Sequence, residues 1–159
     1  MPEGNLYNPA TPTLDHFVQM HIEVGKPAAT GADANGERKL VPITGGSFAG
    51  KINGSVLAGG SDAIWIRPDG CIQIHARYCL QTGNGSILYV EDRGYRHGPE
   101  FVMARLAQGQ DVDPGQYYFR TCLSMETSAS DLTWLNKILF IGSGCRRAGS
   151  VVIDLYQLG

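Results

Sequence analysis

Charge is scarce in this sequence and is not concentrated in any one region. Asp, Glu, Lys and Arg account for 18% of the 159 residues, and the formal net charge is −2. The adjacent basic pairs are Arg38-Lys39 and Arg146-Arg147. Because proteins that bind nucleic acids need clustered Lys and Arg to neutralise phosphates, we expect no nucleic-acid partner.

The sequence also lacks a hydrophobic run of the roughly 20 residues that a membrane-spanning helix needs. Its first residues, Met1-Pro2-Glu3-Gly4, have neither the basic nor the apolar region of a secretory signal. We therefore expect a cytoplasmic protein with no membrane association.

The four cysteines show no metal-binding or redox spacing. Cys71, Cys79, Cys122 and Cys145 form no CxxC pair, so neither a zinc site nor a redox motif is indicated. The turn at Gly142-Ser143-Gly144 has no phosphate-loop lysine and does not indicate a nucleotide site. We expect four reduced thiols, no bound metal and no cofactor.

Glycine and short apolar segments, by contrast, are abundant. The 21 glycines recur between apolar segments, which is typical of many strands joined by tight turns. A strand is predicted over 17–24, because apolar and polar residues alternate from Val18 to Val24 as in a strand with one apolar face. The one clear helix covers 99–108, because a proline opens it and Gly109 follows it.

These elements predict an all-β fold. After an N-terminal arm at residues 1–16, we expect residues 17–159 to form a single domain, an antiparallel lipocalin-like β-barrel with one short helix. Low surface charge and many aromatic residues leave apolar area for a partner, so we also expect a homodimer.

Several short motifs follow one another in a characteristic order. They are Gly45-Gly46-Ser47-Phe48-Ala49-Gly50, Gly59-Gly60-Ser61-Asp62, Arg67-Pro68-Asp69-Gly70, Ala76-Arg77-Tyr78, Arg93-Gly94-Tyr95-Arg96-His97-Gly98-Pro99, Tyr118-Phe119-Arg120-Thr121, Glu126-Thr127 and Trp134-Leu135-Asn136. With them the sequence resembles the family catalogued as domain of unknown function 3237, over nearly the whole chain. The resemblance implies a small β-barrel, but a fold alone does not specify a reaction.

Strand alternation groups several polar and aromatic residues on shared faces. These residues are Trp65, His75, Arg77, Tyr118, Arg120 and Glu126. The usual explanation of alternating polar residues is a solvated outer face. Rings and hydrogen-bonding groups of this kind, however, suit a cavity in which a ligand meets a few fixed polar groups. We therefore predict that they line the barrel lumen.

The side-chain types suggest a role for each residue. His75 and Glu126 are the candidate proton carriers, and Arg120 would stabilise a developing oxyanion. The candidate substrate-binding residues are Trp65, Arg77, Tyr118 and Trp134. The tryptophans offer stacking surfaces for an aromatic or polyketide-like ligand. The structural alternatives are tryptophans in the core, a core or surface histidine, and an ion pair of Glu126 with Arg120 or Arg77.

Three functions remain compatible with the sequence. The first is a cofactor-independent enzyme of isomerase, lyase or cyclase type, which uses acid–base catalysis on a small organic molecule in the lumen. The second is a carrier that binds such a molecule without chemistry. The third is a structural subunit. An isolated His–carboxylate pair with a perturbed pKa in the lumen would favour the enzyme. A wholly apolar lumen would favour the carrier, and a filled lumen the structural protein.

Overall fold

A computed structural model of the chain describes residues 7–159, in which one antiparallel sheet contains every strand. The strands are β1 Leu14–Val24, β2 Ala28–Ala29, β3 Glu37–Gly50, β4 Gly54–Val56, β5 Ser61–Ile66, β6 Ile72–Thr82, β7 Ile87–His97, β8 Tyr118–Glu126, β9 Phe140–Arg147 and β10 Ser150–Leu158. One α-helix, α1 Glu100–Ala107, and short 3-10 turns at Pro114–Gln116 and Thr133–Lys137 complete the described elements.

The sheet closes because β1 pairs with two strands, β10 on one side and β3 on the other. From β10 the order runs through β9, β8, β7 and β6. Both β4 and β5 bridge β6 to β3, each along a different part of those longer strands. The result is a closed eight-stranded barrel with two additional strands, so the predicted antiparallel barrel is confirmed.

The predicted helix is also present. Pro99 precedes α1, and Gly109, with a φ of +78°, follows it. Such a positive φ suits glycine, which has no side chain to clash. Val102 and Leu106 are buried against Ile74, Phe119 and neighbouring apolar residues. The helix therefore covers part of one end of the barrel.

The interior changes in character from one end to the other. Away from α1 it is filled by apolar side chains such as Met20, Leu80, Leu88, Leu123 and Phe140, all essentially inaccessible to solvent. This filling is expected, because the interior of an eight-stranded barrel is only about wide enough for its own side chains. Towards α1 the filling is less complete, and polar side chains enter the lumen.

Some sequence-based boundaries differ from those of the structure. Strand β1 begins at Leu14, so the last residues of the predicted arm belong to the barrel, and residues 1–6 lie outside the described part. The four cysteines are free thiols. Among residues 7–159, no helix combines the length and the apolar character that crossing a membrane requires.

Candidate functional site

The polar residues predicted to line the lumen lie on the outer face of the barrel. His75 and Arg77 point outwards from β6, and Tyr118, Arg120 and Glu126 point outwards from β8. The prediction that they enclose a cavity is therefore wrong. Sequence alternation correctly placed these residues on shared strand faces. The opposite, apolar faces of β6 and β8 fill the interior instead. This orientation is favoured because it removes more apolar surface from water than burying the polar faces would.

The tryptophans do not line the lumen either. Trp65 lies on the outer face of β5, where its indole N–H donates to the Asn35 carbonyl at 2.8 Å and the Arg38 guanidinium lies 4.7 Å from its ring centroid. Trp134 is 40% exposed and contacts Phe17 edge-on. With both rings outside, the argument for an aromatic substrate that rested on them no longer holds.

On the outer face, His75 belongs to a charge cluster centred on Glu91. The Glu91 carboxylate lies 3.0 Å from His75 Nε2 and 2.8 Å from Arg93, with Arg77 farther away at 3.8 Å. Hydrogen bonds from Arg93 and then His75 lower the pKa of Glu91. Because these side chains are partly exposed, the cluster has the character of a solvated surface network, which contributes little stability.

The remaining predicted residues are not brought together. The Arg120 guanidinium donates a hydrogen bond to the Phe119 carbonyl at 3.0 Å. Its central carbon lies 5.8 Å from the centroid of the Tyr118 ring. Among residues 7–159, Glu126 forms no ion pair, so the alternative of a pair with an arginine is not observed either. Trp65 and His75 border the same shallow surface groove, which has a volume of about 350 Å³.

A different set of polar residues points into the lumen. Alternation along β7 turns Asp92, Gly94 and Arg96 inwards after the buried Leu88 and Val90. Asp62 on β5 and Thr121 on β8 face the same space. We refer to Asp62, Asp92, Arg96 and Thr121 as the lumen cluster.

The strand register shows how the two carboxyl groups of this cluster are arranged. Ala76 on β6 is paired with Asp62 on one side and with Asp92 on the other. Two strand spacings of about 4.8 Å therefore separate the backbones of the two aspartates. The small side chain between them leaves a gap over its methyl group. The two carboxyl groups thus flank a narrow space at the boundary of the filled core.

Glycines at the next level of the barrel allow the neighbouring strands to approach closely. Gly94 is paired with Thr121, which in turn is paired with Gly142. A Cβ atom at Gly142 would overlap the Thr121 hydroxyl, and one at Gly94 would overlap the Arg120 carbonyl oxygen. Neither position therefore has room for a side chain. The side chains of the lumen cluster border an inner cavity of about 40 Å³, enough for a water molecule or a small ligand group.

Burial gives the two carboxyl groups unusual acidities. It raises the pKa of Asp92 from 3.8 to about 8, with a further contribution from the charge of Asp62. Burial also raises the pKa of Asp62, to about 6, although the backbone N–H of His75 at 3.2 Å and the Arg96 charge oppose the rise. At pH 7, therefore, Asp92 is mainly protonated and Asp62 mainly ionised.

Several polar atoms of the lumen cluster have no hydrogen-bond partner. They are Asp92 Oδ1, Arg96 Nε and Thr121 Oγ1, all three buried. Thr121 favours the charged form of Asp92, but no hydrogen bond of normal geometry joins the two side chains. Because an unpaired buried polar group costs about 1–3 kcal/mol, this concentration of three at one site indicates groups kept available for a ligand or for water.

The lumen cluster is reached through a wider cavity at the α1 end. This mouth cavity has a volume of about 520 Å³ and is bordered by β3, β5, β6, α1 and the turn between β9 and β10. Its apolar walls include Ile64, Ile72 and Leu106, and its inner end reaches Asp62 and Arg96. It falls within the 300–1,000 Å³ that is typical of small-molecule sites.

Comparison with known proteins places the chain among its relatives. The model of the family described as protein of unknown function DUF3237 matches residues 12–158. The chain belongs to this family. Similar proteins include a UPF0311 protein of Rhodopseudomonas palustris that is 38% identical over 151 residues, which cover 93% of this chain and 99% of that protein. A UPF0311 protein of Clostridium acetobutylicum is 35% identical, and the match covers 86% of this chain and 88% of that protein.

Solved structures similar to this DUF3237 chain share the barrel. A conserved protein of unknown function from R. palustris has a TM-score of 0.89 at 35% identity, over 96% of this chain and all of that one. A beta-barrel-like protein from Acinetobacter baumannii has a TM-score of 0.84 at 36% identity, and the match covers 96% of this chain and 99% of that one. An enzyme from Penicillium herquei has a TM-score of 0.72 at 20% identity, and the match covers 96% of this chain and 98% of that one. This similarity shows a shared fold only.

A metal centre is not indicated in the part of this DUF3237 chain that the structure describes. Residues 7–159 contain no group of three or more His, Cys, Asp or Glu side chains arranged to hold a metal ion. The candidate site therefore consists of the lumen cluster and the mouth cavity that leads to it.

Proposed function

We propose that this protein is an acid–base enzyme that acts on a small organic molecule held in the mouth cavity. The observation that carries the proposal is the pair of inward carboxyl groups on either side of Ala76, with pKa values of about 6 and about 8. Two carboxyl groups whose acidities diverge around neutral pH can divide the roles of base and acid.

The proposed chemistry assigns one role to each carboxyl group. The Asp62 carboxylate takes a proton from a carbon next to a carbonyl group of the substrate, and the Asp92 carboxyl group donates a proton to the carbonyl oxygen, which gives an enol. Return of a proton to another carbon gives an isomer. Loss of a neighbouring leaving group, or attack on an unsaturated carbon, gives lyase or cyclase chemistry instead. Each outcome needs only positioned acids and bases.

The surroundings support this assignment. Apolar walls such as Ile64 and Ile72 would exclude water from the substrate, which strengthens the electrostatic effect of nearby polar groups. The partnerless Asp92 Oδ1 and Thr121 hydroxyl are available for a substrate oxygen. His75 and Glu126 play no part in this chemistry, because both lie on the outer face.

The test uses the small-molecule extract of the source organism and three proteins: the wild type, Asp92→Asn, and Asp131→Asn as a matched control at an exposed position. Mass spectrometry follows both the compounds retained on each protein and the compounds converted. We expect the wild type and the control to convert at least one compound to an isomer or an elimination product. Asp92→Asn should retain that compound but convert it about 10²–10⁴ times more slowly.

The apolar walls of the mouth cavity also favour a second candidate, a carrier without chemistry. A carrier would retain one compound equally well in all three proteins and convert none. That result would refute the proposed enzyme. Equal conversion by the wild type and Asp92→Asn would refute the role of Asp92.

A further inference from the structure

Two arginines face the mouth cavity from different strands. Arg96 continues the inward face of β7 beyond Asp92 and Gly94, and Arg146 continues the inward face of β9 beyond Gly142 and Gly144. The side chain of Phe119, on the intervening strand β8, packs beneath the Arg96 guanidinium at 5.4 Å from its ring centroid. The two guanidinium groups therefore border the same space.

Neither arginine forms an ion pair with a carboxylate among residues 7–159. The Nε atom of Arg96 is buried without any hydrogen-bond partner. Arg146 is held in place by the carbonyl groups of Arg147 and Ser150, the latter at 3.2 Å. Buried arginines are nearly always paired, so this arrangement leaves a binding position for an anion.

We propose that Arg96 and Arg146 together bind the carboxylate group of an organic monoanion, whose remaining part lies against the apolar walls of the mouth cavity. This proposal deepens the function proposed above and rests on it, because it specifies the class of substrate that reaches Asp62 and Asp92. A planar carboxylate matches the fork of donors that a guanidinium presents.

Charge balance favours a monoanion over a more highly charged group such as phosphate. The two arginines carry two positive charges, and Asp62 is mainly ionised at pH 7 while Asp92 is mainly neutral. One positive charge therefore remains, and one carboxylate neutralises it. Lys26 and Lys39 also border the mouth cavity. Lys26 is exposed to solvent, and Lys39 already has Glu37 at 3.6 Å. They would attract anions to the entrance without adding to the charge inside.

Mutual repulsion between Arg96 and Arg146 also favours binding of an anion between them. Burial, and next the charge of Arg146, lower the pKa of Arg96 to about 10. Placing an anion between the two guanidinium groups would relieve that repulsion. It would also supply a hydrogen-bond acceptor to the Arg96 Nε atom, which receives none from the protein.

The experiment compares 2-naphthoate with 2-naphthamide, its neutral counterpart of nearly the same shape, by isothermal titration calorimetry at pH 7.5. The proteins are the wild type, Arg96→Gln, Arg146→Gln and Arg147→Gln. The last is the matched control, since Arg147 lies next along the strand, points outwards and pairs with Asp111 at 3.2 Å. Thermal unfolding of each variant verifies that it is folded.

We expect the wild type and Arg147→Gln to bind naphthoate at least about tenfold more tightly than naphthamide, which corresponds to 1.4 kcal/mol. Arg146→Gln should lose most of this preference, and Arg96→Gln should lose it too. If Arg96→Gln fails to fold, Arg146→Gln decides the question alone. Equal binding of the two probes by the wild type, no binding of naphthoate at millimolar concentration, or an unchanged preference in Arg146→Gln would overturn the proposal.

The failure of this proposal is distinguishable from the failure of the proposed function. Asp92→Asn should keep the preference for naphthoate, because binding needs the arginines and not the proton of Asp92. If the wild type converts a compound from the extract but shows no naphthoate preference, the carboxylate site is refuted and the enzyme stands. If the preference is present but nothing is converted, the enzyme is refuted and the anion site stands.

Discussion

Replacing Asp92 with asparagine should stabilise the protein, although it removes a carboxyl group from the candidate site. The folded protein holds Asp92 protonated up to a pH of about 8, whereas an unfolded chain ionises it above its ordinary pKa of 3.8. Folding therefore requires Asp92 to take up a proton at neutral pH. Asparagine has nearly the same shape and never ionises, so Asp92→Asn avoids this cost.

The size of the effect follows from the change in pKa. Each pKa unit corresponds to about 1.36 kcal/mol, so about three units between 3.8 and pH 7 give a cost on the order of 4 kcal/mol. Because the folded pKa is raised, the cost is absent below pH 3.8, grows as the pH rises, and stops growing above about 8. The stability difference between Asp92→Asn and the wild type should follow the same course.

Urea unfolding of the wild type, Asp92→Asn and Asp131→Asn at pH values from 4.5 to 8.5 measures this difference. We expect Asp92→Asn to gain a few kcal/mol in free energy of unfolding at pH 7 and much less at pH 4.5, and Asp131→Asn to behave like the wild type. A destabilised Asp92→Asn variant, or a difference that does not change with pH, would refute the reasoning. A stabilised variant would show that Asp92 is retained at a cost in stability, as is common for functional groups.

Three further predictions concern other parts of the molecule. His75→Ala and Glu126→Gln should convert the substrate at the wild-type rate in the extract assay, because both residues lie on the outer face; a loss of a hundredfold or more in either would contradict the site assignment. Gly94→Ala should lower the free energy of unfolding by about 1–3 kcal/mol in urea unfolding, because its methyl group would overlap the Arg120 carbonyl oxygen, and an unchanged midpoint would contradict this. Thiol titration of the denatured, non-reduced protein should find four thiols, and a lower number would contradict the free cysteines.

Most of the fold could be predicted from the sequence because the relevant signals are local. Strict alternation from Val18 to Val24, glycine turns and the proline before α1 each act over a few residues. Barrel closure was less accessible, because it depends on the long-range pairing of β1 with both β3 and β10. The succession of short strands and tight turns favoured a barrel, and the resemblance to the DUF3237 family implied one as well.

The candidate site was harder to predict because alternation separates two faces without saying which is inside. Rings and polar groups on the face of His75 and Arg77 suggested a lumen, but burial of the apolar faces decided the orientation. A usable signal was present on β7. Leu88 and Val90 share a face with Asp92, so a carboxyl group continues an apolar row. The acidities of Asp62 and Asp92 depend on burial, which no local pattern reveals.

The central claim is that two lumen carboxyl groups differ in acidity and are poised around neutral pH. Carbon-13 NMR titration of the aspartate side-chain carboxyl groups tests it most directly, with Asp62→Asn and Asp92→Asn used to assign the signals. The account predicts that Asp62 titrates near pH 6 and Asp92 near pH 8. If both signals titrate near pH 4, as exposed aspartates do, the lumen holds no acid–base pair and the proposed enzyme is contradicted.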